Sequence, residues 1–74
     1  MHTKIIHPFR TKQANNGLTI HLAKTGYKSV PLSAYVVDNH GKADEILMPL
    51  GACRRMLKVF NQGADEFLRT LNRT

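Results

Sequence analysis

A single cysteine, no tryptophan and only three prolines in 74 residues leave this chain few covalent or aromatic devices for holding a small protein together. One cysteine, Cys53, closes no intrachain disulfide and cannot build a cysteine-ligated zinc site, so a reducing, cytoplasmic setting is expected. No apolar run approaches the ~20 residues that cross a bilayer, which argues against a membrane partner. Met1-His2-Thr3-Lys4 leads only to Ile5-Ile6 before His7 and Pro8, too short an apolar stretch for the core of a secretion signal.

Acidic residues are the scarcest resource, and their placement is uneven. Asp38, Asp44, Glu45, Asp65 and Glu66 are the five acids, all at or beyond position 38. Residues 1–37 hold Lys4, Arg10, Lys12, Lys24 and Lys28 with no acid, a charge of +5, whereas the remainder sets six bases against five acids. The chain as a whole carries +6, with a pI near 10.0. An anionic partner should therefore meet the first half, where His2, His7 and His21 add further titratable nitrogens.

What is present suffices for a fold. A 42% apolar fraction is too high for a disordered basic tail, and 8.3 kDa points to one domain over residues 1–74. Domains of this size bury only about 60% of the surface their unfolded chain exposes, which favours pairing with a second copy.

Period-two alternation runs to about residue 50. Thr3 to Thr11 reads as a first strand, placed at an edge by Pro8. Asn15-Asn16-Gly17 is a turn, because Asn and Gly tolerate the positive φ of tight hairpins. From Leu18, the residues Leu18, Ile20 and Leu22 point one way while Thr19, His21 and Ala23 point the other. Lys24 to Lys28 reads as a basic loop with Tyr27 at its tip. Ser29 to Asp38 is a third strand, with Val30, Leu32, Ala34 and Val36 on one face and Ser33, Tyr35 and Val37 on the other. After a turn at residues 39–42, Ala43 to Leu50 forms a fourth, with Ile46, Met48 and Leu50 on one side.

The period then changes to that of a helix. Cys53, Met56, Leu57, Phe60, Ala64, Phe67, Leu68 and Leu71 share an arc of roughly 120°, with Arg54, Arg55, Lys58 and most other polar residues opposite. The phase continues through Gly63, predicting one amphipathic helix over about residues 52–73. Such a helix is about 33 Å long, against about 19 Å for four strands side by side, so its far end overhangs the sheet. Leaving Phe67, Leu68 and Leu71 in water would forgo about 5 kcal/mol, so a homodimer is expected through Gly63, Phe67, Leu68 and Leu71. The fold class is α+β: a four-stranded antiparallel sheet followed by one long C-terminal helix.

Catalytic and metal chemistry find no support. Asp44 and Glu45, adjacent on a strand, face opposite ways, and Asp65 has Arg69 at i+4 as an ordinary surface partner. The four histidines show no metal-ligand spacing, Gly41-Lys42 lacks the rest of a phosphate loop, and Cys53 falls on the buried arc. No cofactor is expected, and no enzyme.

The remaining constellation is cationic and aromatic. With the helix on one side of the sheet, the other carries Thr19, His21 and Tyr35, and Lys4, Arg10, Lys12, Lys24, Tyr27 and Lys28 gather around it. Cations that track phosphates, with rings on which unstacked bases rest, are what a single-stranded nucleic acid requires. The proposed nucleic-acid contacts are thus Lys4, Arg10, Lys12, His21, Lys24, Tyr27, Lys28 and Tyr35.

Asn15-Asn16-Gly17-Leu18-Thr19-Ile20-His21-Leu22 resembles the turn-and-strand pattern of the purine-rich-element (PUR) repeats. Ile46-Leu47-Met48-Pro49-Leu50-Gly51-Ala52 resembles their last strand running through Pro into the helix. With the strand order, this likeness extends to the superfamily of Whirly, transcriptional positive cofactor and PUR-repeat proteins, although Leu18-Thr19 stands where the PUR pattern has an aromatic. The resemblance implies a ββββα unit, dimerised through its helices, whose strands cradle single-stranded DNA or RNA in transcription or replication. Two other readings compete. One is a small, phage-like interaction module whose acid-free half binds an acidic protein surface. The other is a ribbon-helix-helix repressor that reads duplex DNA with Glu45 to Leu50 and places helices either side of Gly63.

Overall fold

A computed structural model describes residues 7–71 of the chain. Four strands, β1 (Pro8–Gln13), β2 (Thr19–Lys24), β3 (Leu32–Val37) and β4 (Ala43–Met48), precede two helices, α1 (Leu50–Gln62) and α2 (Ala64–Thr70). Each strand pairs antiparallel with the next, so the sheet order is β1-β2-β3-β4. The expected α+β architecture with a four-stranded antiparallel sheet is present. Residues 3–6 of the expected first strand lie outside the described residues, and the strand itself begins at Pro8, where an edge tolerates the missing N–H.

Turn chemistry sets the register. Ala14 and Leu18 close the first hairpin through the Ala14 N–H to the Leu18 carbonyl at 2.8 Å, and Gly17 takes φ +92°. A Cβ there would also come within 2.9 Å of the Asn39 side chain, so the turn demands glycine twice over. Asp38 holds the turn between β3 and β4 by accepting from the His40 and Lys42 N–H groups, both at 2.9 Å.

With these registers, Ile20, Leu22, Leu32, Ala34, Val36 and Met48 fall on the helix side, where they meet Cys53, Met56, Phe60, Ala64, Phe67 and Leu68 in one core. Every residue of the sequence-derived apolar arc is in that core or packed against it. Two of the expected inward residues depart: Leu50 opens α1 instead of ending β4 and is 66% exposed, and Val30 precedes β3, half-buried and outside the core. Cys53 is a packing residue, buried and donating its thiol to the Met48 carbonyl at 3.1 Å.

One long helix is not what forms. Gly63 takes φ 152° and ψ 151°, a region essentially restricted to glycine, and separates α1 from α2 by this one residue. Seven residues of straight helix would set Phe60 and Phe67 about 10 Å apart along the axis. Their rings instead meet edge to face at 5.5 Å and 88°. The fold-back reverses the expected overhang. Phe67 and Leu68 are 0% and 3% exposed within the chain itself, and Leu71 packs on the same core, so the apolar surface that called for a second copy is already covered.

Candidate functional site

On the sheet face away from the helices, the register brings Thr11, His21, Tyr35 and Glu45 into one row across all four strands. The Thr11 hydroxyl and His21 Nδ1 lie 2.9 Å apart. The Tyr35 hydroxyl donates to Glu45 Oε2 at 2.7 Å, and Ser33, one row along, donates to the same oxygen at 3.2 Å. A carboxylate oxygen that receives two hydroxyls is held in orientation. Tyr35 and Ser33 are buried, while Glu45 remains exposed.

The connection between β2 and β3, residues 25–31, forms one wall beside this row. Thr25 organises it: its N–H donates to the Pro31 carbonyl at 3.1 Å, its hydroxyl donates to the Val30 carbonyl and accepts from the Tyr27 N–H at 3.0 Å. Tyr27 is thereby carried outward and is 72% exposed. Between wall and sheet lies a cleft of about 500 Å³ with Ser33, Tyr35 and Glu45 in its floor, Tyr27 in its wall, and Lys24 and His7 among its other lining residues.

The cations expected around this face divide. Lys24, Tyr27 and Lys28 stand exposed at the β2 end and its loop, and His21 lies on the face, half-buried. Lys4 lies outside the described residues. Arg10 and Lys12 are not on this face at all. They pair with Leu22 and Ile20, both core-facing, after an irregularity between Pro8 and Arg10, so alternation turns them to the helix side. There Lys12 donates to the Phe60 and Asn61 carbonyls at 2.8 and 3.2 Å and sits 5.2 Å from the Phe60 ring centre, and Arg10 donates to Asn61 Oδ1 at 2.6 Å. An edge strand makes this possible, because its long side chains can curl around to a helix end whose carbonyls attract cations. Tyr35 lies on the expected face but is 7% exposed and engaged by Glu45, so it offers no open stacking platform. Arg69 pairs with Glu66 rather than Asp65, whose carboxylate accepts from the Asn15 N–H at 3.1 Å.

Sequence reasoning missed Ser33 and Glu45 as partners of Tyr35. Their alternation was legible, but only the register of β3 against β4 aligns them. Phe9, an apolar member of the first strand, is 45% exposed beside Arg10, which alternation alone does not reveal. The meander converts the charge gradient of the sequence into a spatial one: β1 holds two cations, β2 one, β3 no charged residue, and β4 two acids. Among the described residues, no three His, Cys, Asp or Glu side chains gather as a metal site, and no helix is long and apolar enough to cross a membrane.

Comparison with protein-family models, with curated proteins and with solved structures finds no match for the chain. Its function is therefore argued from the residues and their placement.

Proposed function

We propose that the chain is a non-enzymatic binder of single-stranded nucleic acid, which it engages at the end of the β1–β2 pair and along the 25–31 loop rather than across the centre of the sheet. The observation that carries this reading is an outward ring beside unpaired cations: Tyr27, 72% exposed, flanked by Lys24 and Lys28 in a stretch with no carboxylate before residue 38. Phe9, 45% exposed, lies at the same end, since Pro8 pairs with Ala23. Exposed rings supply stacking at about 1–3 kcal/mol per base, and the lysines supply the phosphate contacts. The pattern-level likeness to PUR repeats points to the same ligand class.

The test is a salt titration with a fluorescent oligonucleotide of about 20 nucleotides. Affinity should fall log-linearly with salt, with a slope of about −0.7 per phosphate neutralised, and single strands should bind better than duplex of the same sequence. Tyr27→Ala should weaken binding about tenfold without lowering stability, because that side chain is mostly in water. Absence of binding at about 50 mM salt would remove the proposal.

A second reading, a protein-interaction module, draws on Leu47 and Leu50, which are 58% and 66% exposed near the end of β4. It predicts no oligonucleotide binding at any salt. The ribbon-helix-helix reading has the helices either side of Gly63, but its reading strand belongs to the sheet: β4 pairs with β3 from Ala43 to Met48. Preference for duplex would favour it.

A further inference from the structure

We propose that the bound strand does not stop at the 25–31 loop but continues along the solvent side of α1, where Arg54, Arg55 and Lys58, joined by Arg10, neutralise its phosphates. The inference rests on the single-strand reading above and extends its surface from one loop to a track that turns the corner onto the helix.

Helical spacing gathers the cations. At 3.6 residues per turn, Arg54, Arg55 and Lys58 fall within an arc of about 100°, and all three are exposed. Nothing in α1 opposes them: the helix holds no acid, and among the described residues none of the three has a carboxylate partner. Arg10 reaches the same side from β1 by donating to Asn61 Oδ1 at 2.6 Å, about one turn past Lys58. That bond anchors the guanidinium through one N–H, and the rest of its five-donor fork suits a phosphate. The juxtaposition joins residues 51 positions apart.

The helix face is continuous with the loop. The Leu50 N–H donates to the Ser29 carbonyl at 3.0 Å, so α1 begins beside the residue that follows Lys28. From Arg54 to Asn61 the helix rises about 10 Å, a length on which one strand of a duplex sets about three phosphates at its axial spacing of ~3.4 Å. Past Gln62 the surface gains carboxylates, Asp65 and Glu66 beside Gly63, which ends the track at Arg10.

The chemistry of this side selects the occupant. Beyond Leu50 the apolar residues of α1 turn to the core, so the side has no group to insert among lipids. It also lacks the aromatic and apolar anchors around which protein interfaces are built. What it offers is spaced positive charge, mostly arginine, and a phosphate backbone answers that.

Fluorescence anisotropy with oligodeoxythymidine of about 20 nucleotides supplies the test. Lys58→Glu should weaken binding at least about fivefold, whereas Lys42→Glu, the same change in net charge at an exposed turn, should alter it less than twofold. The triple variant Arg54→Gln, Arg55→Gln, Lys58→Gln keeps good helix formers at exposed positions and should flatten the salt slope by about 2, at about 0.7 per lost phosphate contact. In the unmodified chain, the backbone amide signals of Arg54, Arg55 and Lys58 should move on addition of the oligonucleotide, a readout that needs no variant to fold. Equal effects of Lys58→Glu and Lys42→Glu, or an unchanged slope in the folded triple variant, overturn the track and leave the loop reading standing. A triple variant that keeps its oligonucleotide affinity but loses binding to phosphatidylserine vesicles assigns the helix side to a lipid surface and overturns the track as well. Failure of the unmodified chain to bind the oligonucleotide removes both readings.

Discussion

Lys12 is the residue whose role the tertiary structure changes most. Its charge sits over the last carbonyls of α1, where the helix dipole is negative, with the Phe60 ring within cation–π reach. It belongs to the helix end and not to a ligand. Lys12→Met should lower stability by about 1–2 kcal/mol in urea unfolding, and oligonucleotide affinity should change less than twofold. A variant of unchanged stability but much weakened binding would return Lys12 to the ligand side. Tyr35 shows the converse. Its outward phase was plain from the alternation of Ser29 to Asp38, yet its hydroxyl is fixed on Glu45, a partner twelve positions from Ser33 and ten from Tyr35 that strand pairing alone brings near. Alternation assigns a face. It does not say which neighbour on that face a side chain will bind.

At the scale of elements, the strands and turns were largely legible, because each depends on local chemistry: Asn16-Gly17 for one hairpin, Asp38 with Gly41 for another, and β-branched or apolar alternation between them. The helical region was legible in phase and not in continuity. An apolar stripe at period 3.6 looks the same whether a chain runs straight through Gly63 or folds back there, because both α1 and α2 turn the stripe to one core. The decision comes from the energy of burial: folding back places Phe67 and Leu68 in the core, worth about 1.5–3 kcal/mol each, which outweighs the few backbone hydrogen bonds lost at a glycine that adopts the break freely. Gly63→Ala should therefore destabilise the chain by about 1–3 kcal/mol, read as a lower urea midpoint. The open space around that position means strain alone, not a clash, causes the loss. Wild-type stability in the variant would show that φ at this position is not decisive.

For the whole molecule, the decisive property is polarity. A meander keeps neighbours in sequence as neighbours in space, so an acid-free first half becomes a cationic edge, with the acids of β4 three strands away, about 14 Å across the sheet. Lys24 and Glu45 nonetheless line one cleft, so the two signs of charge meet there. Charge reversal on either side separates local contact from overall charge. Lys28→Glu should weaken oligonucleotide binding at least tenfold, whereas Lys42→Glu, the same change in net charge, should alter it less than twofold at about 0.15 M salt. Equal effects of the two would mean that total charge, and not this edge, governs binding.

The sequence by itself determined the four strands, the helical phase, the core membership of its apolar residues and the charge gradient along the chain, because each follows from side-chain periodicity or from composition. Only the tertiary structure decided where that charge points, whether the helix is one piece, and which hydroxyls meet Glu45. Those outcomes depend on register, on the reach of long side chains around an edge and on a fold-back that buries two rings together. All are contacts between residues far apart in the chain, whose energies no local pattern encodes.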